Sequence, residues 1–213
     1  MIFINKEIND YVKSHSSVEP ELLSKLRRET EIKFINPIML SSESQGILLS
    51  LISKIKKPKN ILEIGTYTGY STLCMAEGLE NDGIIYTIDK NEELLDIQNK
   101  YFKLSKYRKN IKQFTGKALE IIPLIKSSFD MVFLDADKEN YSNYLKLVSP
   151  LMEENGILLT DNVLWHGKIL ENSSSQDVTT KLIDKFNKDL ARDESFQTIM
   201  LPIRDGISIS VKL

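Results

Sequence analysis

Cysteine is almost absent: Cys74 is the one thiol in 213 residues, so no disulfide can form within the chain. A protein without cross-links suits a reducing compartment, and a cytoplasmic location is the expectation. Long apolar runs are missing too, none approaching the ~20 residues a membrane helix needs. Residues 1–10 carry charges through their short apolar stretch and lack the layout of a secretory signal. Charge of one sign is also lacking. Lys and Arg total 28 against 30 Asp and Glu, a formal charge of -2. That balance argues against a surface built throughout to grip nucleic acid, though a local basic patch could survive it. What remains, 41% apolar and 27% charged residues, is the make-up of an ordinary globular domain, and the length suits one.

The first 58 residues read as helical. Leu22, Leu23 and Leu26 follow Pro20 at helical spacing, and a second pattern runs from Ile47 to Ile55 and stops before Pro58. From residue 59 the texture changes. Apolar runs at 61–64, 84–88, 111–115, 129–134 and 156–160 alternate with helical stretches near 70–79, 92–106, 118–125 and 140–150. Such runs are strands covered on both faces, as in a doubly wound α/β domain. After a helix near 177–190, runs at 196–201 and 207–211 are joined only by Pro202 to Gly206. So short a gap holds no crossover helix, so these two strands should be antiparallel. The expectation is a single domain over 1–213, with a helical part at 1–58 and a Rossmann-like core at 59–213. That core has a seven-stranded, mostly parallel sheet with one reversed strand near its edge and helices on both faces.

In an open α/β sheet, ligands sit at the carboxyl ends of the strands. The first strand ends in Leu62-Glu63-Ile64-Gly65-Thr66-Tyr67-Thr68-Gly69-Tyr70-Ser71, where Gly65 and Gly69 let the backbone turn and approach a ligand. The next strand ends in Asp89, whose carboxylate can accept from both hydroxyls of a ribose. A nucleoside is implied. The glycines are spaced G-x-x-x-G rather than G-x-G-x-x-G, which argues against a nicotinamide dinucleotide. Glu63 is a poor neighbour for pyrophosphate but a good one for the cationic amino-acid end of S-adenosylmethionine; the bland reading is a turn capped by Glu63. Thr115-Gly116-Lys117-Ala118 closes the third strand, and Ala118 would offer an amide beside an adenine.

Two further strand ends carry oxygen donors: Phe133-Leu134-Asp135-Ala136-Asp137-Lys138 and Leu159-Thr160-Asp161-Asn162-Val163-Leu164-Trp165. If those strands are neighbours, Asp135, Asp161 and Asn162 converge. Two carboxylates and an amide form a hard-oxygen set for Mg²⁺, Mn²⁺ or Ca²⁺. His15, His166 and Cys74 make no zinc-type cluster. Asp and Asn also cap helices, but two adjacent strand ends with three donors favour the metal.

These motifs, with Asp135-Ala136-Asp137-Lys138-Glu139-Asn140-Tyr141 and Asp161-Asn162-Val163-Leu164-Trp165, resemble the class I cation-dependent O-methyltransferases, in particular the caffeoyl-CoA and catechol branch. The likeness runs from Pro37-Ile38-Met39 to Asp205-Gly206. It implies that Asp135, Asp161 and Asn162 are metal ligands. It also implies cofactor contacts at Met39, Ser41, Glu63, Gly65, Thr66, Ser71, Asp89, Ala118, Asp135 and Asp137. Lys138 matches the lysine taken as general base, the alternative being a surface lysine paired with Asp137 or Glu139. Trp165 and His166 fall at the substrate side, where a core tryptophan and a solvated histidine are the plain alternatives. The family implies a homodimer.

The acceptor expected is a small catechol or caffeate-like acid, since the plant enzymes' longer N-terminal arm for the CoA ester is not matched here. Residues 171–177, with Ser173-Ser174-Ser175, are a lid or simply a loop. A related chemistry methylates 5-hydroxyuridine at a tRNA wobble position. It would need phosphate-binding clusters such as Lys54, Lys56, Lys57 and Lys59, or Lys103, Lys106, Arg108 and Lys109. A module that holds the nucleoside without chemistry would not need the oxygen cluster.

Overall fold

Each periodic segment ahead of residue 58 forms a helix in the computed structural model, which describes residues 6–172 and 174–213. The first five residues of the 1–10 stretch and Ser173 of the serine run lie outside the described residues. α1 (Lys6–Ser14) buries none of its side chains. α2 (Glu21–Lys33) begins directly after Pro20, whose fixed φ suits a helix start, and buries Leu23, Leu26 and Thr30. α3 (Glu43–Lys56) starts where the Ser42 side chain accepts from the Gln45 N–H, and stops at Lys57 in the left-handed region.

The core then alternates as expected: β1 (Asn60–Ile64), α4 (Tyr70–Ala76), β2 (Ile84–Asp89), α5 (Leu95–Leu104), β3 (Ile111–Thr115), α6 (Ala118–Ile121), β4 (Phe129–Leu134), α7 (Tyr141–Val148), β5 (Met152–Asp161), α8 (Val178–Arg192), β6 (Phe196–Leu201) and β7 (Ile207–Lys212). The sheet order is β3-β2-β1-β4-β5-β7-β6. Only β7 runs against its neighbours, pairing antiparallel with both β5 and β6. It sits one place in from the edge.

Two elements depart from the sequence expectation. The stretch 118–125 is a short α-helix followed by a 3₁₀ turn at Ile122–Leu124, because Pro123 has no N–H to continue the ladder. β5 starts at Met152, four residues before the apolar run. Its polar start bulges, with Phe129 opposite Met152 but Met131 opposite Ile157, and Asn155 takes a positive φ. Glu153, Glu154 and Asn155 are exposed and polar, so no apolar run marked this part of the strand.

Both faces of the sheet are buried. Leu62, Ile64, Val132, Leu134 and Leu158 pack with Tyr141, Tyr144, Phe186 and Leu190 of α7 and α8. Ile61, Met131, Phe133 and Leu159 pack on the other face with Leu23, Leu26 and Leu49 of α2 and α3. The N-terminal helices therefore complete the second face of the core. Near-continuous apolar runs were the signature of such two-sided burial.

Candidate active site

Register decides which side chains meet. Ile64 of β1 lies opposite Ile88 of β2 and Leu134 of β4, and Leu134 lies opposite Thr160 of β5. The residues that follow, Asp89, Gly65, Asp135 and Asp161, therefore form one row at the carboxyl ends of four adjacent strands. The main chain continues pairing into this row, with Gly65 N–H donating to the Ile88 carbonyl and Asp135 N–H to the Ile64 carbonyl, both at 2.9 Å. Between β1 and β4 the strand order reverses, the position where open α/β sheets bind ligands.

Gly65 is demanded twice over. Its φ is +103°, and a Cβ there would stand 2.1 Å from the Asp135 carbonyl oxygen. Past it, Thr66 is buried, its hydroxyl 2.6 Å from that of Thr87. Asp89 accepts from the backbone N–H of Tyr67 at 2.7 Å and of Asn91 at 2.9 Å, which fixes its carboxylate across the turn. Glu63 points inward with no exposed surface, and its two oxygens accept from the hydroxyls of Ser71, Thr72 and Thr87. Burial pushes its carboxyl up to about 7 in spite of those three donors. Glu63 is thus covered by Ser71, Thr72 and Thr87 rather than exposed at the strand tips. Ala118 opens α6, Ser41 is buried with its carbonyl receiving Arg27, and Met39 is exposed beside it.

On the neighbouring tips, neither Asp135 nor Asp161 caps a helix. Asp135 Oδ1 accepts from Lys138 Nζ at 2.7 Å, and Asp161 Oδ1 accepts from the Asn162 N–H at 2.8 Å. Burial and the facing Asp135 charge push the Asp161 carboxyl above the usual range. Asn162 holds a positive φ of 58°, a conformation asparagine tolerates better than most residues. Lys138 is largely buried between Asp135 and the Tyr141 ring, 5.1 Å from its centroid. Burial alone would lower its pKa, but Asp135 and Tyr141 outweigh it and hold the ammonium above the ordinary lysine range. The expected alternative partners of Lys138, Asp137 and Glu139, are engaged elsewhere. Asp137 accepts from Asn140 and Tyr144, which keep its carboxyl low against the opposing effect of burial, and Glu139 accepts from Thr179. Among the described residues, no three side chains of His, Cys, Asp and Glu gather closely enough to hold a metal. The expected set draws on an amide for its third donor.

A sequence model of the family described as O-methyltransferase matches residues 13–213. The chain belongs to the O-methyltransferase family. Among its curated relatives, the caffeoyl-CoA O-methyltransferase of Petroselinum crispum is 33% identical over 202 residues, spanning 90% of this chain and 83% of the relative. An SAH-bound methyltransferase of Podospora anserina superposes with a TM-score of 0.88 at 27% identity, over 100% of this chain and 98% of that one. The O-methyltransferase from Bacillus cereus, also in complex with SAH, gives 0.89 at 26% identity over 97% of both chains.

Around this O-methyltransferase's row of strand tips lie residues that sequence reasoning passed over. Gln45 of α3 and Arg204 of the β6–β7 turn reach the site from 159 positions apart, joined at 3.1 Å. Asp205 receives the His166 N–H and faces its Nδ1 at 3.6 Å, tying the loop after β5 to the same turn. Trp165 and His166 both hold positive φ there, and the Trp165 Nε1 donor is buried without a partner. No motif marks such long-range pairs; only the turn Pro202 to Gly206 was visible. A cavity of about 700 Å³ opens at the opposite end of the sheet, lined by Lys54, Lys57, Lys59 and residues 77–82, ahead of β1 and β2 and away from this row.

Proposed function

We propose that the protein moves the methyl group of S-adenosylmethionine onto one hydroxyl of an aromatic ring bearing two adjacent hydroxyls, a catechol or caffeate-like acid. In this reading Asp135, Asp161 and Asn162 hold a divalent cation, Mg²⁺ or else Mn²⁺ or Ca²⁺. The observation that carries it is the register that lines up Asp89, Gly65, Asp135 and Asp161 at four neighbouring tips. SAH in the related structures is what the sulfonium donor becomes once its methyl has left. Met39, Ser41, Glu63, Gly65, Thr66, Ser71, Asp89, Ala118 and Asp137, together with Asp135, are the residues we assign to that donor.

The donor chemistry suits a hard cation. Two carboxylates face one another, one of them with a raised pKa, and the ammonium of Lys138 is placed against them. A bound divalent ion would supply a Lewis acid that acidifies a hydroxyl held against it. We assign Lys138 Nζ to take the phenolic proton. While Asp135 faces it, Nζ keeps its own proton; it becomes a base where the Asp135 charge is answered by another cation. The protein's larger contribution is orientation, holding the oxygen and the sulfonium methyl at near-attack distance. Trp165 and His166 border the acceptor side. A homodimer fits the exposed Ile8, Tyr11 and Val12 of α1, and sedimentation would show it.

The tRNA reading finds no support in the placement of charge. Lys54 to Lys59 precede β1 and Lys103 to Lys109 precede β3, at the amino ends of the strands, and Lys54 and Lys56 are already engaged by Glu77 and the Asn155 carbonyl.

Labelled methyl donor offered with catechol, caffeate, a caffeoyl thioester and tRNA, with and without a chelator, tests the proposal. Cation-dependent labelling of the vicinal diols is expected. Equal rates after chelation, or labelling of tRNA alone, would overturn it. Lys138→Met should lower turnover by roughly 10²-fold or more at saturating cation and donor while SAH still binds.

A further inference from the structure

Ser42 and Gln45 stand at the first and fourth positions of a capping box, S-x-x-Q. Half of it is made, the Ser42 hydroxyl accepting from the Gln45 N–H at 3.2 Å. In the usual second half the glutamine side chain reaches back to the N–H of the cap residue. Here that side chain turns inward instead, with 1% of its surface exposed. Its Oε1 accepts from Arg204 Nη1 at 3.1 Å, and its Nε2 is buried with no acceptor at bonding distance. Arg204 lies in the turn that leads into Ile207, the residue opposite Asp161 in the β5–β7 register, so the Gln45 amide bonded to it is held at the tip of β5, where it stabilises the Asp161 charge.

Arg204 settles which way the amide points. A guanidinium has donors only, so the glutamine oxygen must face it and the NH₂ must face Asp161. Arg204 itself occupies a positive φ of 53°, a conformation a non-glycine residue rarely adopts. Besides Gln45, it donates to the carbonyls of Leu40 at 2.8 Å and Ile38 at 3.0 Å, on either side of Met39.

We infer that Gln45 is a positioning residue for Asp161, with Arg204 fixing its amide and tying the same contact to the 38–41 strap. The inference rests on the cation site proposed above. A buried donor without an acceptor is costly, so the Gln45 NH₂ is poised to close its bond when Asp161 shifts to bind a cation. Partners of this kind, one bond behind a ligand, set its orientation and commonly change metal affinity by 10–100-fold. Arg204 extends the effect to the strap that carries Met39 and Ser41.

Two variants separate these roles, each measured as the full chain by calorimetric titration with Mn²⁺ and, separately, with SAH, alongside a melting curve. Gln45→Met keeps the volume and removes both polar atoms; it should weaken Mn²⁺ binding by about tenfold or more and leave SAH affinity within about threefold. Arg204→Met should weaken both ligands, because it frees the amide and the strap together. Unchanged Mn²⁺ affinity in a folded Gln45→Met protein overturns the inference. Should that variant fail to fold, unchanged Mn²⁺ affinity in Arg204→Met overturns it instead. A wild-type chain that binds SAH but no Mn²⁺ removes the cation site, and this inference with it, whereas wild-type binding with normal Gln45→Met affinity removes this inference alone.

Discussion

A carboxylate with no exposed surface is expensive to keep charged, and Glu63 is held by three hydroxyl donors rather than by a cation. Burial leaves its carboxyl at about 7 in the fold, against 4.5 when unfolded. The folded state therefore keeps a proton that the unfolded chain gives up over that interval, and stability should fall as pH rises from about 4.5 to 7. Melting curves across that range should show the decline, on the order of 3 kcal/mol at most, and Glu63→Gln should flatten it. A wild-type profile matching that of Glu63→Gln would mean the carboxylate is not the titrating group. The local pattern at Glu63 marked an acid next to a glycine turn, but its inward orientation depends on Thr87, a residue of the neighbouring strand.

At the scale of elements, the turn from β1 into α4 is the tightest constraint. Backbone from β1 and β4 meets at Gly65, where a methyl group would overlap the Asp135 carbonyl. Gly65→Ala should therefore cost at least about 2 kcal/mol, from the left-handed φ and the overlap together. SAH affinity should drop in parallel, because the turn and the tip of β4 have to separate. Unaltered melting and SAH titration in this variant would show that the turn relaxes freely. The strands themselves were legible because two-sided burial writes itself as unbroken apolar runs. The bulged start of β5 was not, since Glu153, Glu154 and Asn155 are exposed and carry a turn's composition. Pro123 broke a helix that periodicity alone would have continued.

For the whole molecule, ligands that bind only the folded chain should raise its melting temperature. SAH or Mg²⁺ at about 100 times its dissociation constant adds roughly 2.7 kcal/mol, which for a chain of this length is about 5–10 °C. A chelator should reverse the Mg²⁺ part alone. No Mg²⁺ shift in the presence of SAH would count against the cation reading.

Amino-acid order alone determined the α/β alternation, the reversed strand beside the edge, the glycine turn and the acidic tips of β2, β4 and β5. Each depends on contacts within a few residues: burial periodicity, a loop too short for a crossover, a φ that glycine accepts. Tertiary structure alone decided the rest. Strand register set Asp135 beside Asp161, burial turned Glu63 away from the surface and locked Lys138 onto Asp135, and the fold carried Arg204 across to Gln45. Those outcomes depend on which side chains share a dry space, and chain neighbours say nothing about that.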